Sequence, residues 1–102
     1  MLQYEELRLK LEGMLPAIED LADSIGLSQL RREAEELDAQ ASAPGFWDNM
    51  EFAQKQTQKA ASVKGKIEAY ERLQADYQDT LTLIELADEA EDLDLLDECE
   101  TE

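Results

Sequence analysis

The apolar residues from Tyr4 to Ile25 recur at alternating steps of three and four, and this spacing constrains the fold more than any other feature. Such a repeat places side chains on one face of a helix, as in coiled coils. Gly13 and Pro16 predict a kink near residues 12–16, and Gly26 predicts the end of a first helix over residues 2–25. The set, called here the N-terminal seam, comprises Tyr4, Leu7, Leu11, Met14, Ile18, Leu21 and Ile25.

Two further helices follow, over residues 28–42 and 48–90. Ser28 is the predicted N-cap of the second helix, and the short connection before it predicts an orientation antiparallel to the first. Pro44 and Gly45 in "SAPGFW" predict a turn, and Asp48 with Glu51 resembles a capping box that starts the third helix. The predicted apolar positions of these two helices are Leu27, Leu30, Ala34, Leu37 and Ala41, then Phe52, Ala60, Val63, Ile67, Tyr70, Leu73, Tyr77, Ile84 and Ala87.

The sequence therefore predicts an all-α fold: an antiparallel helical hairpin or three-helix bundle with one long coiled-coil-like helix, forming a single domain over residues 1–102. Part of so long a helix must contact a fourth element, a partner or water. Residues 88–94 lose the apolar periodicity and predict a tight reversal. Residues 93–102 then predict the start of a fourth helix, and so a piece of a longer protein, or alternatively an acidic tail.

The net charge of −17 is concentrated in residues 73–102, which contain twelve acidic residues and no Lys or Arg. Such a surface repels phosphate backbones and favours basic proteins, or alternatively serves solubility alone. The cations Lys55, Lys59, Lys64 and Lys66 form the one basic cluster. They suit either RNA or an acidic partner, or they complement the acidic second helix. The absence of interleaved aromatic residues argues against direct RNA binding.

Catalytic chemistry has little support in this composition. The chain has no His and a single cysteine, Cys99, so the usual nucleophilic and metal-binding sets cannot be assembled. Carboxylate pairs such as Glu33 with Glu36 and Asp94 with Asp97 suit a solvated helix face. We therefore predict no enzyme and no catalytic, cofactor-binding or metal-binding residue. With no signal-peptide pattern and no apolar stretch of roughly 20 residues, the sequence predicts a cytoplasmic protein without a membrane partner.

The segment "LRREAEELDAQASAPGFWDNMEFAQKQTQKAASVKGKIEAYERL" resembles the N-terminal helical domain of bacterial peptide chain release factor 2, a member of the class-I release factor family. The element "PGFWDN" and the downstream "LIELADEAED" carry this resemblance. The resemblance implies a domain of a factor that directs release at UAA and UGA codons. In that family a Gly-Gly-Gln motif serves hydrolysis and a Ser-Pro-Phe motif reads the codon, and neither occurs in this sequence.

The resemblance further implies contact with the ribosome at a stalk-base ribosomal protein, and with the GTPase release factor, by a monomeric chain. A free-standing acidic coiled-coil adaptor or oligomerisation module is the alternative. The aromatic residues at the junction have two possible roles. We predict that Phe46, Trp47 and Phe52 close the open end of the bundle as a structural plug, and the alternative is that they form a binding site.

Overall fold

The computed structural model describes the backbone of residues 2–101 and the side chains of residues 2–93. Four α-helices occur in this part of the chain: α1 (Leu2–Glu12), α2 (Leu15–Ile25), α3 (Leu27–Ala41) and α4 (Met50–Thr101). A short 3-10 turn, Phe46–Asp48, lies between α3 and α4. No β-strand occurs within residues 2–101, and the predicted all-α class is confirmed.

The first predicted helix, residues 2–25, is two helices in the structure. Pro16 has no N–H to donate to the carbonyl of Glu12, so the helical ladder cannot continue across this point. Met14 instead donates its N–H to the Leu11 carbonyl at 2.9 Å, and α2 starts afresh at Leu15 with Pro16 in its first turn. The break interrupts the N-terminal seam: Ile18 is buried, whereas Leu7, Met14 and Leu21 are exposed.

Gly26 separates α2 from α3, as the sequence predicts. It is also the N-cap of α3, the role predicted from the sequence for Ser28. Its φ of 67° lies in the left-handed region, which glycine adopts without the strain that a Cβ atom brings. The Gly26 carbonyl accepts from the Leu30 N–H at 2.9 Å, which makes Gly26 the N-cap of α3. The predicted N-cap, Ser28, is therefore two residues late, and α3 begins at Leu27, one residue before its predicted start.

The chain divides into two compact units, one formed by Glu19–Arg72 and the other by Met1–Ile18 with Leu73–Glu102. In the first unit, α3 packs against the adjacent part of α4 through Ala34, Leu37 and Val63. Arg31 contacts Glu71 while Gln40 contacts Gln56, so the two helices run antiparallel. Ala53, which is fully buried on α4, is a core position that the predicted apolar stripe omits.

In the second unit, α1 lies beside α4. Tyr4 and Arg8 of α1 line one cavity with Ile84 and Asp88 of α4, and Tyr77 is buried. The reversal predicted at residues 88–94 is wrong, because α4 continues through it to Thr101. These residues include neither Gly nor Pro, so the lost apolar periodicity marks a change in packing and not the end of a helix. Residues 93–102 carry the predicted start of a further helix or acidic tail, and their side chains from residue 94 onward, including that of Cys99, lie outside the described residues. The prediction of a single domain over residues 1–102 stays a prediction.

Candidate interaction surface

The junction between α3 and α4 is built by local hydrogen bonds. The Ser42 N–H donates to the Asp38 carbonyl at the end of α3, and Gly45 then turns the chain with a φ of 82°. The Asp48 N–H donates back to the Gly45 carbonyl at 3.1 Å, closing the 3-10 turn. This geometry presents two consecutive aromatic side chains, those of Phe46 and Trp47, on a short and sharply curved segment.

Asn49 caps the N-terminus of α4. Its Oδ1 accepts from the Phe52 N–H at 3.1 Å, and its carbonyl accepts from the Ala53 N–H at 2.9 Å. The predicted capping box of Asp48 with Glu51 is therefore corrected, because Asp48 belongs to the preceding 3-10 turn. An asparagine at this position satisfies a helix donor that would otherwise lack a partner.

Phe46, Trp47 and Phe52 form a group that we call the aromatic cluster. The ring of Phe46 meets that of Trp47 edge to face, with centroids 5.0 Å apart, and lies 6.1 Å from that of Phe52. Phe46 is buried, but Trp47 is 54% exposed and Phe52 46% exposed. The prediction that all three rings plug the bundle thus holds for Phe46 alone, and the other two rings offer apolar area to a partner.

A groove of about 330 Å³ runs beside Trp47 between α3 and α4. Apolar side chains supply most of its lining, and the charged pair of Asp38 and Lys64 stands at its edge, with Lys64 Nζ 2.6 Å from Asp38 Oδ1. An apolar lining with a few fixed polar groups is typical of ligand-binding clefts. The groove is lined by Leu37, Asp38, Ala41, Phe46, Trp47, Gln56, Thr57, Ala60, Ala61 and Lys64.

The basic cluster of α4 faces α3 through two of its members. Lys59 Nζ lies 3.3 Å from Glu33 Oε1, and Lys64 pairs with Asp38 as described above. The structure therefore confirms, for these two lysines, the prediction that the basic cluster complements the acidic second helix. Lys55 and Lys66 form no ion pair within the described part of the chain. Whether the cluster contacts RNA stays a prediction.

Metal-binding groups and membrane-spanning helices are both absent from the described residues. Among the described side chains, no group of three or more His, Cys, Asp or Glu residues is placed to hold a metal ion. No helix in the described part of the chain combines the length and the apolar character needed to cross a membrane. Glu33 of the carboxylate pair Glu33 and Glu36 lies at the α3–α4 ion pair, whereas Asp94 and Asp97 lie outside the described side chains.

Comparison with known proteins links the chain to one group of relatives. It is 36% identical over 76 residues to peptide chain release factor 2 of Kineococcus radiotolerans, an alignment that covers 74% of this chain. It is 32% identical over 93 residues, 91% of this chain, to peptide chain release factor 2 of Streptomyces avermitilis. The resemblance to release factor 2 is confirmed. A third such relative, from Lactiplantibacillus plantarum, is 30% identical over 98% of this chain.

The similarity to release factor 2 extends over a limited part of those relatives. The alignments cover 21%, 25% and 26% of the three proteins, so the chain spans about a quarter of their length. No family model matches the chain, and no solved structure matches it.

The sequence located the right junction but not the side chains that are exposed there. Phe46 and Trp47 are neighbours of similar bulk, and no periodicity extends through a three-residue 3-10 turn to tell which ring faces inward. In the structure the turn that begins after Gly45, whose φ is positive, has Phe46 buried and Trp47 exposed.

Proposed function

We propose that this chain is an interaction domain of a peptide chain release factor that acts in translation termination, directing release at UAA and UGA codons. The observation that carries the proposal is the similarity to release factor 2, which extends over 91% and 98% of the chain in two of the relatives. The predicted resemblance of "PGFWDN" to the same family supports it from particular residues.

In this proposal the chain acts by contact and not by catalysis. It contains no His, and neither the Gly-Gly-Gln nor the Ser-Pro-Phe tripeptide occurs in it. These two motifs are the ones that the family resemblance assigns to hydrolysis and codon reading. The chain on its own is therefore expected to bind its partners in the cytoplasm without releasing a nascent peptide.

The proposed contact surface is the aromatic cluster with the adjoining groove. Trp47 and Phe52 combine large exposed rings with a fixed base, since both rings meet the buried ring of Phe46. Aromatic side chains held in this way act as anchors in protein interfaces because little side-chain entropy is lost on binding. The partners we propose are a stalk-base ribosomal protein and the GTPase release factor, and the chain's net charge of −17 favours a basic ribosomal protein.

Binding to purified ribosomes tests this function. The 102-residue chain, fluorescently labelled, is titrated with intact ribosomes and with ribosomes that lack the stalk-base protein. We expect binding to the intact ribosomes that falls at least tenfold without that protein, and a similar fall for Trp47→Ala on intact ribosomes. Met50→Ala, which changes an exposed residue of α4 outside the aromatic cluster, is the matched control. Equal binding to both kinds of ribosome contradicts the proposed partner.

The alternative is a free-standing acidic coiled-coil adaptor, and the 52 residues of α4 favour it, because long helices commonly serve as oligomerisation elements. The two functions differ in assembly. A release-factor domain is expected to sediment as a monomer at every concentration, whereas an adaptor forms a defined dimer as its concentration rises. A dimer in sedimentation equilibrium, together with the absence of ribosome binding, would replace our proposal by the alternative.

A further inference from the structure

The second half of α4 carries a second apolar face, on the side away from α1. Leu83, Leu86, Ala90 and Leu93 follow one another at steps of three, four and three, which places them on one side of the helix. All four are exposed, with Leu83 66%, Leu86 57% and Leu93 62% accessible. We call these four residues the leucine stripe.

The leucine stripe is distinct from the face of α4 that packs within the same unit. Ile84 and Asp88 line the cavity shared with α1, and Tyr77 is buried, so the inward positions are spaced by seven and four. At about 100° of rotation per residue, the centre of the stripe lies on roughly the opposite side of the helix from these positions. Nothing in the described part of this unit covers the stripe, since its leucines are more than half exposed.

The charges around the leucine stripe are of one sign. Asp76 and Asp79 continue its three-four register toward the N-terminal side, and Glu89 lies three residues from Leu86 and four from Leu93. All three side chains are exposed, and no Lys or Arg occurs anywhere in residues 73–102. A second copy of this chain would bring the same carboxylates to the interface with no cation to offset them, and like charges across an interface oppose pairing.

From this combination we infer that the leucine stripe is the docking face for a basic amphipathic helix of another protein. Leucines at three-four spacing accept the apolar face of a partner helix, and the flanking carboxylates match Lys or Arg on its borders. The inference does not depend on the proposed function, because it uses neither the aromatic cluster nor the similarity to release factor 2.

The test uses a synthetic helical peptide with Leu at its core positions and Lys at the flanking positions, labelled for fluorescence anisotropy against the 102-residue chain. We expect Leu86→Gln to weaken binding about tenfold, the change that a lost apolar anchor produces. Leu9→Gln is the matched control, because Leu9 is a comparably exposed leucine of α1, and it should change affinity less than about twofold. Replacing Asp79 and Glu89 by Asn and Gln should weaken binding at about 0.15 M salt more than at about 0.5 M salt.

Four other results would overturn the inference. Equal weakening by Leu86→Gln and Leu9→Gln would show binding that does not use the stripe. Equal binding of a peptide with Glu in place of Lys would show that the partner's basic residues are not recognised. A concentration-dependent dimer of the chain that Leu86→Gln abolishes would assign the stripe to a second copy. Methyl NMR of the unsubstituted chain gives an independent readout, because docking requires the peptide to shift the signals of Leu83, Leu86 and Leu93, and unshifted signals contradict it.

Discussion

Trp47 and Phe46 are adjacent aromatic residues with opposite exposure, and replacing each by Ala separates their roles. Phe46 is only 8% exposed, so Phe46→Ala should lower the free energy of unfolding by about 3–5 kcal/mol, the usual cost of removing a buried aromatic side chain. Trp47 is 54% exposed, so its ring has about half the packing of a buried one. We therefore expect Trp47→Ala to lower the free energy of unfolding by about 1.5–2.5 kcal/mol. Part of this cost is the loss of the edge-to-face contact with Phe46, because aromatic pairs of this kind contribute about 0.5–1.5 kcal/mol.

Urea unfolding followed by circular dichroism at 222 nm measures both values, and it does not rely on Trp47, the only tryptophan of the chain. Phe52→Ala is a useful third variant, since Phe52 is 46% exposed and should resemble Trp47→Ala. The reasoning is refuted if Trp47→Ala costs as much as Phe46→Ala, because the Trp47 ring would then be a structural plug. It would also be refuted by a Trp47 fluorescence maximum typical of a buried indole.

The remaining predictions concern charge and backbone conformation. Changing Lys55, Lys59 and Lys66 together to Gln should leave RNA affinity at the nonspecific level. The same change should lower the free energy of unfolding by less than about 1 kcal/mol, since exposed ion pairs contribute little. A large loss of ribosome affinity in a filter-binding assay would contradict this prediction. Gly45→Ala should lower stability by about 1–2 kcal/mol, because the φ of 82° strains an L-residue. Gly65→Ala, inside α4 where the added Cβ meets nothing within 4 Å beyond its own helix backbone and chain neighbours, should raise stability by about 0.5–1 kcal/mol in the same urea unfolding experiment. Equal effects of the two alanines would contradict the assigned backbone conformations.

The helices with strong apolar spacing are the part of the fold that the sequence predicts well. Leu27, Ala34 and Leu37 of α3 are buried at the expected positions, and Ala34 and Leu37 pack against Val63 of α4, whereas the predicted position Ala41 is exposed. The N-terminal seam is less informative. Its spacing assumes one continuous helix, and the break before Pro16 shifts the positions on either side relative to each other.

Two features, one in α4 and one in the 3-10 turn before it, lay beyond what the apolar spacing alone could establish. Residues 88–94 offer only Ala90 and Leu93 as apolar positions, yet they contain neither Gly nor Pro, and so the helix persists through them. The exposure of Trp47 depends on the exact turn made after Gly45, which a sequence pattern does not specify. The resemblance to release factor 2, by contrast, is carried by the "PGFWDN" junction and the downstream "LIELADEAED".

The central claim is that this chain is the interaction domain of a release factor, and competition in a reconstituted termination reaction tests it most directly. Peptide release at a UGA codon by full-length release factor 2 is timed with and without an excess of the 102-residue chain. The account predicts that the chain slows release, that Trp47→Ala slows it less, and that the chain alone releases no peptide. Release that proceeds at an unchanged rate in the presence of the chain, or release by the chain alone, would contradict it.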